Sequence, residues 1–362
     1  MRLAQVFPEE YQTQLADKQQ CLTEILERYR LPQMSVHPSG ASHYRQRAEF
    51  RIWHNGEDIY HAMFDPETKL KVRIDSFPVA SKLIADFMPV LLQHLQHNHQ
   101  LRYRLYQVDY LATLSGELLV SLIYKRKLDE QWLAAAQKLT DTLLPEWPVK
   151  FIGRSRKQKL VLQQDYVTEQ FEVNGQALRY QQVEGSFTQP NAGVNQQMLQ
   201  WAAEISQSLH GDLLELYCGN GNFSLALASQ FQQVVATELS RTSIKSAQYN
   251  IALNNISNVQ VLQMSAEDVA EALNNGNCLK HIDLTGMQLN TVLVDPPRAG
   301  LDPATLQLVS RFNDILYISC NPQTLAANLA ELTSSHSIVK LALFDQFPYS
   351  QHIETGVWLR KN

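Results

Sequence analysis

Apolar and polar residues change their period once along this chain, and the change divides it. Between residues 9 and 30, Leu15, Cys21, Leu22, Ile25 and Leu26 recur at helical spacing and Leu31-Pro32-Gln33 closes the run, so one amphipathic helix is predicted there. From Tyr44 the pattern alternates. YRQRAEFRIWH, DIYHAMFD and KLKVRIDSF read as strands of an antiparallel meander, with NGED and DPET as turns. A helix follows at PVASKLIADFMPVLLQHLQH, then strands at YQVDYLATL and ELLVSLIYKRK, a helix at DEQWLAAAQKLTDTL, and strand character again from Gly153 to about residue 190. Beyond that, helix and strand take turns. NQQMLQWAAEISQSL, FSLALASQF and SIKSAQYNIALNN are helical, whereas DLLELY, VVATE, VQVLQMSA, TVLVDPP and ILYISCNP are short apolar strands. Such alternation predicts a doubly wound α/β sheet with ligands beyond the carboxyl ends of its strands.

The length of 362 residues supports two domains. We expect a strand-rich N-terminal region over 1–185 and an α/β domain over 186–362. Apolar residues at 44% and charged residues at 19% describe a globular chain with no apolar run long enough for a membrane helix. The start, from Met1 to Phe7 and into PEEYQTQLADKQQ, lacks the apolar core of a secretory signal, so a cytoplasmic protein is expected. Cys21, Cys218, Cys278 and Cys320 show neither CxxC pairing nor metal-ligand spacing, so no metal site and no disulfide framework is expected. A net charge of −5 speaks against a protein that coats nucleic acid non-specifically; an RNA partner would have to meet local basic patches.

Two places invite chemistry. The first is the loop Glu215 to Asn222, ELYCGNGN, which joins a predicted strand to a helix. Alternate glycines let the backbone approach a ligand, although Gly-Asn-Gly is equally a plain turn. Glu238 decides between them, because it ends the next strand about 20 residues on, where a carboxylate accepts hydrogen bonds from a ribose diol. An adenosine cofactor is expected. The loop lacks the full G-x-G-x-x-G that holds a pyrophosphate, and its acidic lead suits a cationic cofactor without phosphates. ELYCGNGNFSL is similar to the first motif of class I methyltransferases, and Tyr217 at the strand tip is expected to flank S-adenosylmethionine.

The second place is Ile318-Ser319-Cys320-Asn321-Pro322, where a strand enters a turn at the same sheet edge. A free cysteine is most often an inert buried thiol. Here the preceding strand ends Val294-Asp295-Pro296-Pro297-Arg298, which sets a carboxylate and a guanidinium at the neighbouring tip.

Together with FTQPN (187–191), VVATELS and HIETG (352–356), the segments DPPRAGLD and YISCNP make the sequence resemble the RNA uracil-5 methyltransferases of bacteria over nearly its whole length. The resemblance implies a C-terminal class I, Rossmann-like S-adenosylmethionine-dependent domain, an N-terminal α+β RNA-binding region rich in antiparallel strands, and methylation of carbon 5 of a uridine. Carbon 5 of uracil is too weak a nucleophile to attack a methyl sulfonium until a thiolate has added to carbon 6. Cys320 matches that nucleophile, and Glu354 the base that later removes the carbon-5 proton. Gln189, Tyr217, Asn222, Glu238 and Asp295 match cofactor-site positions, with Gln189 also near the target base. Arg298 is expected to stabilise the enolate or thiolate, or to touch RNA. RNA cytosine-5 methyltransferases place a cysteine in the turn corresponding to DPPR, and amino-group methylases carry a DPPY-like motif; this chain has neither.

Ribosomal-RNA members of the family typically add an N-terminal barrel and an iron–sulfur cysteine cluster. Their absence here favours the tRNA branch, whose target is uridine 54 of the T-loop giving 5-methyluridine, with tmRNA as a second substrate. A monomer without metal, membrane or iron–sulfur cluster is expected. Arg45, Arg47, Arg51, Trp53 and His54 bring charge and aromatic surface to the first strand of the meander, Lys125-Arg126-Lys127 and Arg154 to Lys159 add charge, and Tyr106 is placed to stack on a base. Arg51, Tyr106, Lys125 and Arg298 are the RNA-contact candidates. The competing readings are a ribosomal-RNA uracil-5 methyltransferase and an RNA-folding protein acting without catalysis.

Overall fold

In the computed structural model, which describes residues 5–65, 67–276 and 278–362, five short apolar runs of the C-terminal half form the parallel centre of an eight-stranded sheet. The order across it is Met34–His37, His336–Phe344, Glu354–Lys361, Asp314–Ser319, Leu289–Val294, Asp212–Leu216, Val234–Glu238, Val259–Gln263. Strands buried on both faces read as continuous apolar runs, as Asp212–Leu216 and Asp314–Ser319 do. The chain leaves Asp212–Leu216 toward one edge and returns at Leu289–Val294 toward the other, so the topological switch point lies between these two strands.

Glu354–Lys361 is antiparallel to both of its neighbours. Its first residues therefore lie beside the last of Asp314–Ser319, with Thr355 paired to Ser319 and Gly356 to Ile318. Two helices begin directly after the turns that follow Leu289–Val294 and Asp314–Ser319, and each has a side-chain cap followed by proline. Asp302 accepts from the Ala304 and Thr305 amides at 3.0 Å before Pro303, and Asn321 accepts from Gln323 at 3.1 Å around Pro322. A cap satisfies amides that a helix start leaves open, and proline has no amide to satisfy there.

The chain forms two compact units. One comprises Gly40–Gln170, Gln182–Ala192 and the described residues before Glu10; the other comprises Glu10–Ser39, Phe171–Gln181 and Gly193–Asn362. A single cut at residue 185 does not describe this division. The helix Tyr11–Ile25 and the strand after it join the unit that holds the eight-stranded sheet, because Met34–His37 pairs in parallel with Leu341–Phe344 and extends that sheet. Lys18 of that helix is buried 2.6 Å from Asp345.

The other unit holds a seven-stranded sheet ordered Lys71–Ile74, Asp58–Phe64, Arg47–Asn55, Leu105–Ala112, Leu118–Tyr124, Val149–Ser155, Gln158–Val161. Its first five strands are antiparallel neighbours, as the alternation predicts. The helix Glu130–Leu143 then returns the chain, so Val149–Ser155 runs parallel to Leu118–Tyr124. Pro66 of the expected DPET turn and Met1–Ala4 lie outside the described residues.

Candidate active site

At the carboxyl ends of the parallel strands lies a pocket of about 420 Å³, lined among others by Tyr217, Thr237, Glu238, Leu239, Met264, Ala266 and Gly300. Glu238 ends its strand there, and its carboxylate organises the turn. One oxygen accepts from the Gly219 amide at 3.0 Å, and the other from Leu239 and Ser240 at 2.8 and 2.7 Å. A carboxylate has about four acceptor positions, so capacity remains for a ribose hydroxyl. Gly221 adopts φ 84°, which L side chains rarely take, so glycine suits the point where the loop turns into its helix; an added Cβ would also press on Leu225 Cδ1 at 2.5 Å. Tyr217 itself adopts φ 64°, a conformation that costs an ordinary residue on the order of 1–3 kcal/mol and gathers at functional sites.

Beneath the loop, Glu215 is fully buried, accepts a short hydrogen bond from Ser224, and is pushed up to about 8 chiefly by burial, with Asp295 and Glu238 adding to the shift. Glu215, Glu238 and Asp295 thus gather three carboxyl groups at one sheet edge, where a bound cation would favour the ionised forms that burial opposes. That chemistry fits an adenosine with a positively charged sulfur.

Cys320 and Glu354 meet at the same edge for a topological reason: one follows the end of a parallel strand and the other starts the antiparallel strand paired to it. Cys320 is half-buried, and burial raises its thiol above the ordinary value, with Glu354 and Asp295 raising it further and Arg298 lowering it. Glu354 is 3% exposed; burial and then Asp295 hold its carboxyl well above the usual range, while Arg298 opposes them. Burial also raises Asp295. Two neighbouring carboxyls out of water resist ionising together. Arg298 donates to His352 Nδ1 at 2.9 Å, and its carbonyl accepts from Asn321 Nδ2 at 3.0 Å and the Thr324 hydroxyl at 3.2 Å.

The remaining candidates are spread more widely. Asn222 does not line the pocket; its side chain exchanges two hydrogen bonds with Asn195, each 2.9 Å. Gln189 belongs to the strand-rich unit, in a segment fixed by Arg47 donating to the Ser186 carbonyl at 2.9 Å and the Gln46 amide to Pro190 at 2.7 Å. In the same unit the ring of Tyr106 lies between Arg51, 4.1 Å from its centroid, and Lys125, at 3.6 Å. These three RNA-contact candidates therefore come together. Others are engaged internally. Arg154 pairs with Glu184, Lys159 with Asp165 at 2.7 Å, and Arg126 donates to the Tyr103 and Gln100 carbonyls.

Three residues of this neighbourhood, Glu215, Asn195 and His352, were not among the candidates read from sequence. Glu215 was legible as the one charged residue of an otherwise apolar strand end, and His352 as the polar first residue of HIETG, two positions before Glu354. Asn195 carries no such signal. Among the described residues, no group of three or more His, Cys, Asp or Glu could hold a metal ion, and no helix is long and apolar enough to cross a membrane.

Residues 10–362 match the family described as tRNA (Uracil-5-)-methyltransferase. The tRNA/tmRNA (uracil-C(5))-methyltransferase of Vibrio atlanticus is 52% identical, with 99% of this chain and 98% of that protein covered. Its counterpart of the same description from Histophilus somni is 54% identical over 98% of each. The solved Pyrococcus abyssi tRNA (uracil-54, C5)-methyltransferase, in complex with S-adenosyl-L-homocysteine, shares the fold at a TM-score of 0.72 and 20% identity, over 96% of this chain and 83% of that one. With its strand-tip cysteine, paired glutamate and acid-led loop in place, the chain belongs to the tRNA (uracil-5-)-methyltransferase family.

Proposed function

We propose that this protein methylates carbon 5 of uridine 54 in the T-loop of tRNA, and the equivalent uridine of tmRNA, through a covalent adduct on Cys320. The observation that carries this reading is the juxtaposition of Cys320, Glu354, Asp295 and Arg298 beside the pocket ended by Glu238. The names of the relatives, at 52–54% identity over nearly full length, support tRNA and tmRNA as substrates.

The thiolate of Cys320 adds to carbon 6, forming the Sγ–C6 bond and moving the ring electrons to carbon 5 and O4 as an enolate. Arg298 is the cation set against this negative charge. Glu238 and Tyr217 hold the cofactor's nucleoside, and S-adenosylmethionine, when bound, supplies an electrophilic methyl group. Once carbon 5 bears methyl and hydrogen, Glu354 takes the proton, the C5=C6 double bond re-forms, and the Sγ–C6 bond breaks to release the thiolate. Around Tyr106, Arg51 and Lys125 offer charge for phosphates and a ring for a base to stack on.

Purified protein incubated with labelled S-adenosylmethionine and unmodified tRNA tests this directly. Label should enter wild-type tRNA and not tRNA with uridine 54 replaced by cytidine. Incorporation into ribosomal RNA alone, or into no RNA, would overturn the assignment in favour of a ribosomal-RNA enzyme or a catalysis-independent RNA-folding protein.

A further inference from the structure

His352 sits between the guanidinium and the carboxyl of this site, and the chemistry of its neighbours fixes its protonation pattern. Arginine has donors only, so the 2.9 Å contact from Arg298 Nη2 requires His352 Nδ1 to be the acceptor. The ring proton then resides on Nε2. That nitrogen lies 3.9 Å from Glu354 Oε2, too long for a hydrogen bond, in a class of contact that tightens when substrate closes a site. Phe347 meets the ring edge to face at 4.5 Å and limits its rotation. Burial, Arg298 and Lys18 depress the imidazole to about 4, so it stays neutral and single-tautomered across the working range. The charged and titratable groups facing the pair are Arg298 and Asp295 from the turn after Leu289–Val294, Cys320 from the tip of Asp314–Ser319, and Lys18 with its partner Asp345.

We propose that His352 is a positioning residue which, locked by Arg298, presents Nε2–H to the Glu354 carboxylate and thereby favours the ionised base that removes the carbon-5 proton. The proposal rests on Glu354 acting as that base. Everything else around Glu354 except Arg298 disfavours its charge: burial and Asp295 both raise it. A neutral donor offsets them without adding a second cation beside Arg298. Because Nε2 already bears its proton, the ring serves as a donor to Glu354 and not as an acceptor of its proton.

The experiment follows adduct formation and adduct release separately, by quenching single turnovers of the full chain with tRNA and S-adenosylmethionine on denaturing gels between pH 6 and 9. His352→Ala should slow adduct formation less than adduct release at each pH, because it touches the attacking thiol only through Arg298 and Glu354. Its release should have a pH midpoint raised by about one unit, so that release below the midpoint is about tenfold slower. His352→Gln places an N–H where Nε2–H stood and should restore the midpoint. His352→Asn keeps a partner for Arg298 but no donor that reaches Glu354, and should not restore it. An unshifted midpoint in folded His352→Ala, or equal midpoints for the Gln and Asn variants, overturns the proposal while trapping by Glu354→Gln persists. If Glu354→Gln traps no adduct, the reading of Glu354 as base fails first, and this proposal falls with it.

Discussion

Replacing Lys18 by Met would leave Asp345 as an uncompensated carboxylate at the end of a core strand. Lys18 is 5% exposed and Asp345 is 0% exposed, 2.6 Å apart. Burial pulls the ammonium below its usual range and Asp345 pushes it back. With Lys18 removed, Asp345 keeps only neutral side-chain donors, Gln14 Nε2 at 3.0 Å and the Tyr11 hydroxyl. Breaking one side of a buried pair costs about 3–5 kcal/mol, whereas replacing both sides by neutral groups is far cheaper. At about 2–4 °C per kcal/mol for a unit of this size, Lys18→Met should lower the melting temperature by roughly 6–20 °C. Lys18→Met with Asp345→Asn should recover at least about half of that. The same lysine also donates to the Phe347 carbonyl at 2.8 Å, and Gln14 accepts from the Tyr349 amide at 3.2 Å, so the segment leading to His352 and Glu354 is fixed by the N-terminal helix. Calorimetry and urea titration of the three proteins measure the effect. A Lys18→Met loss under about 1 kcal/mol, or a double variant worse than the single one, would refute the reasoning.

Two further outcomes follow from the site. Glu238→Ala removes a charged acceptor worth about 1.5–3 kcal/mol, so titration calorimetry should find S-adenosylmethionine bound roughly 10–150-fold more weakly, with Glu238→Gln between the two. Tyr106→Ala should weaken tRNA binding by about 1–3 kcal/mol with an unchanged salt slope, because stacking is not electrostatic, whereas Lys125→Ala should lower the slope of log affinity against log salt by about one; identical salt behaviour of the two variants would contradict this division.

The strands that carry the chemistry were legible because burial on both faces leaves each as a short unbroken apolar run. DLLELY, VVATE, TVLVDPP and ILYISCNP fall on Asp212–Leu216, Val234–Glu238, Leu289–Val294 and Asp314–Ser319. The sheet's far edge was not. Met34–His37 is four residues long and gains its place only by pairing with a strand some three hundred residues later, information that no local pattern holds. For the same reason the expected boundary at 185 assigned the N-terminal helix to the strand-rich unit. HIETG is a motif whose geometry the sequence does not carry; that Glu354 begins an antiparallel strand beside Cys320 depends on a pairing direction invisible in the local sequence. The loop ELYCGNGN indicated a ligand, while the pairing of Asn222 with Asn195 depends on a helix entering from elsewhere. Among the basic runs, sequence could not separate Arg154 and Lys159, which face internal carboxylates, from Arg51 and Lys125, which flank Tyr106.

The central claim is that Cys320 attacks and Glu354 releases, and a denaturing gel of the two single variants tests it most directly. Each is incubated with unmodified tRNA and labelled S-adenosylmethionine. Glu354→Gln still permits addition and methyl transfer but removes the acceptor for the carbon-5 proton, so methylated RNA should accumulate attached to the protein as a denaturant-resistant band. Cys320→Ala should give neither band nor product. Free turnover by Glu354→Gln without a trapped species, or a covalent band in the Cys320→Ala lane, would contradict the account.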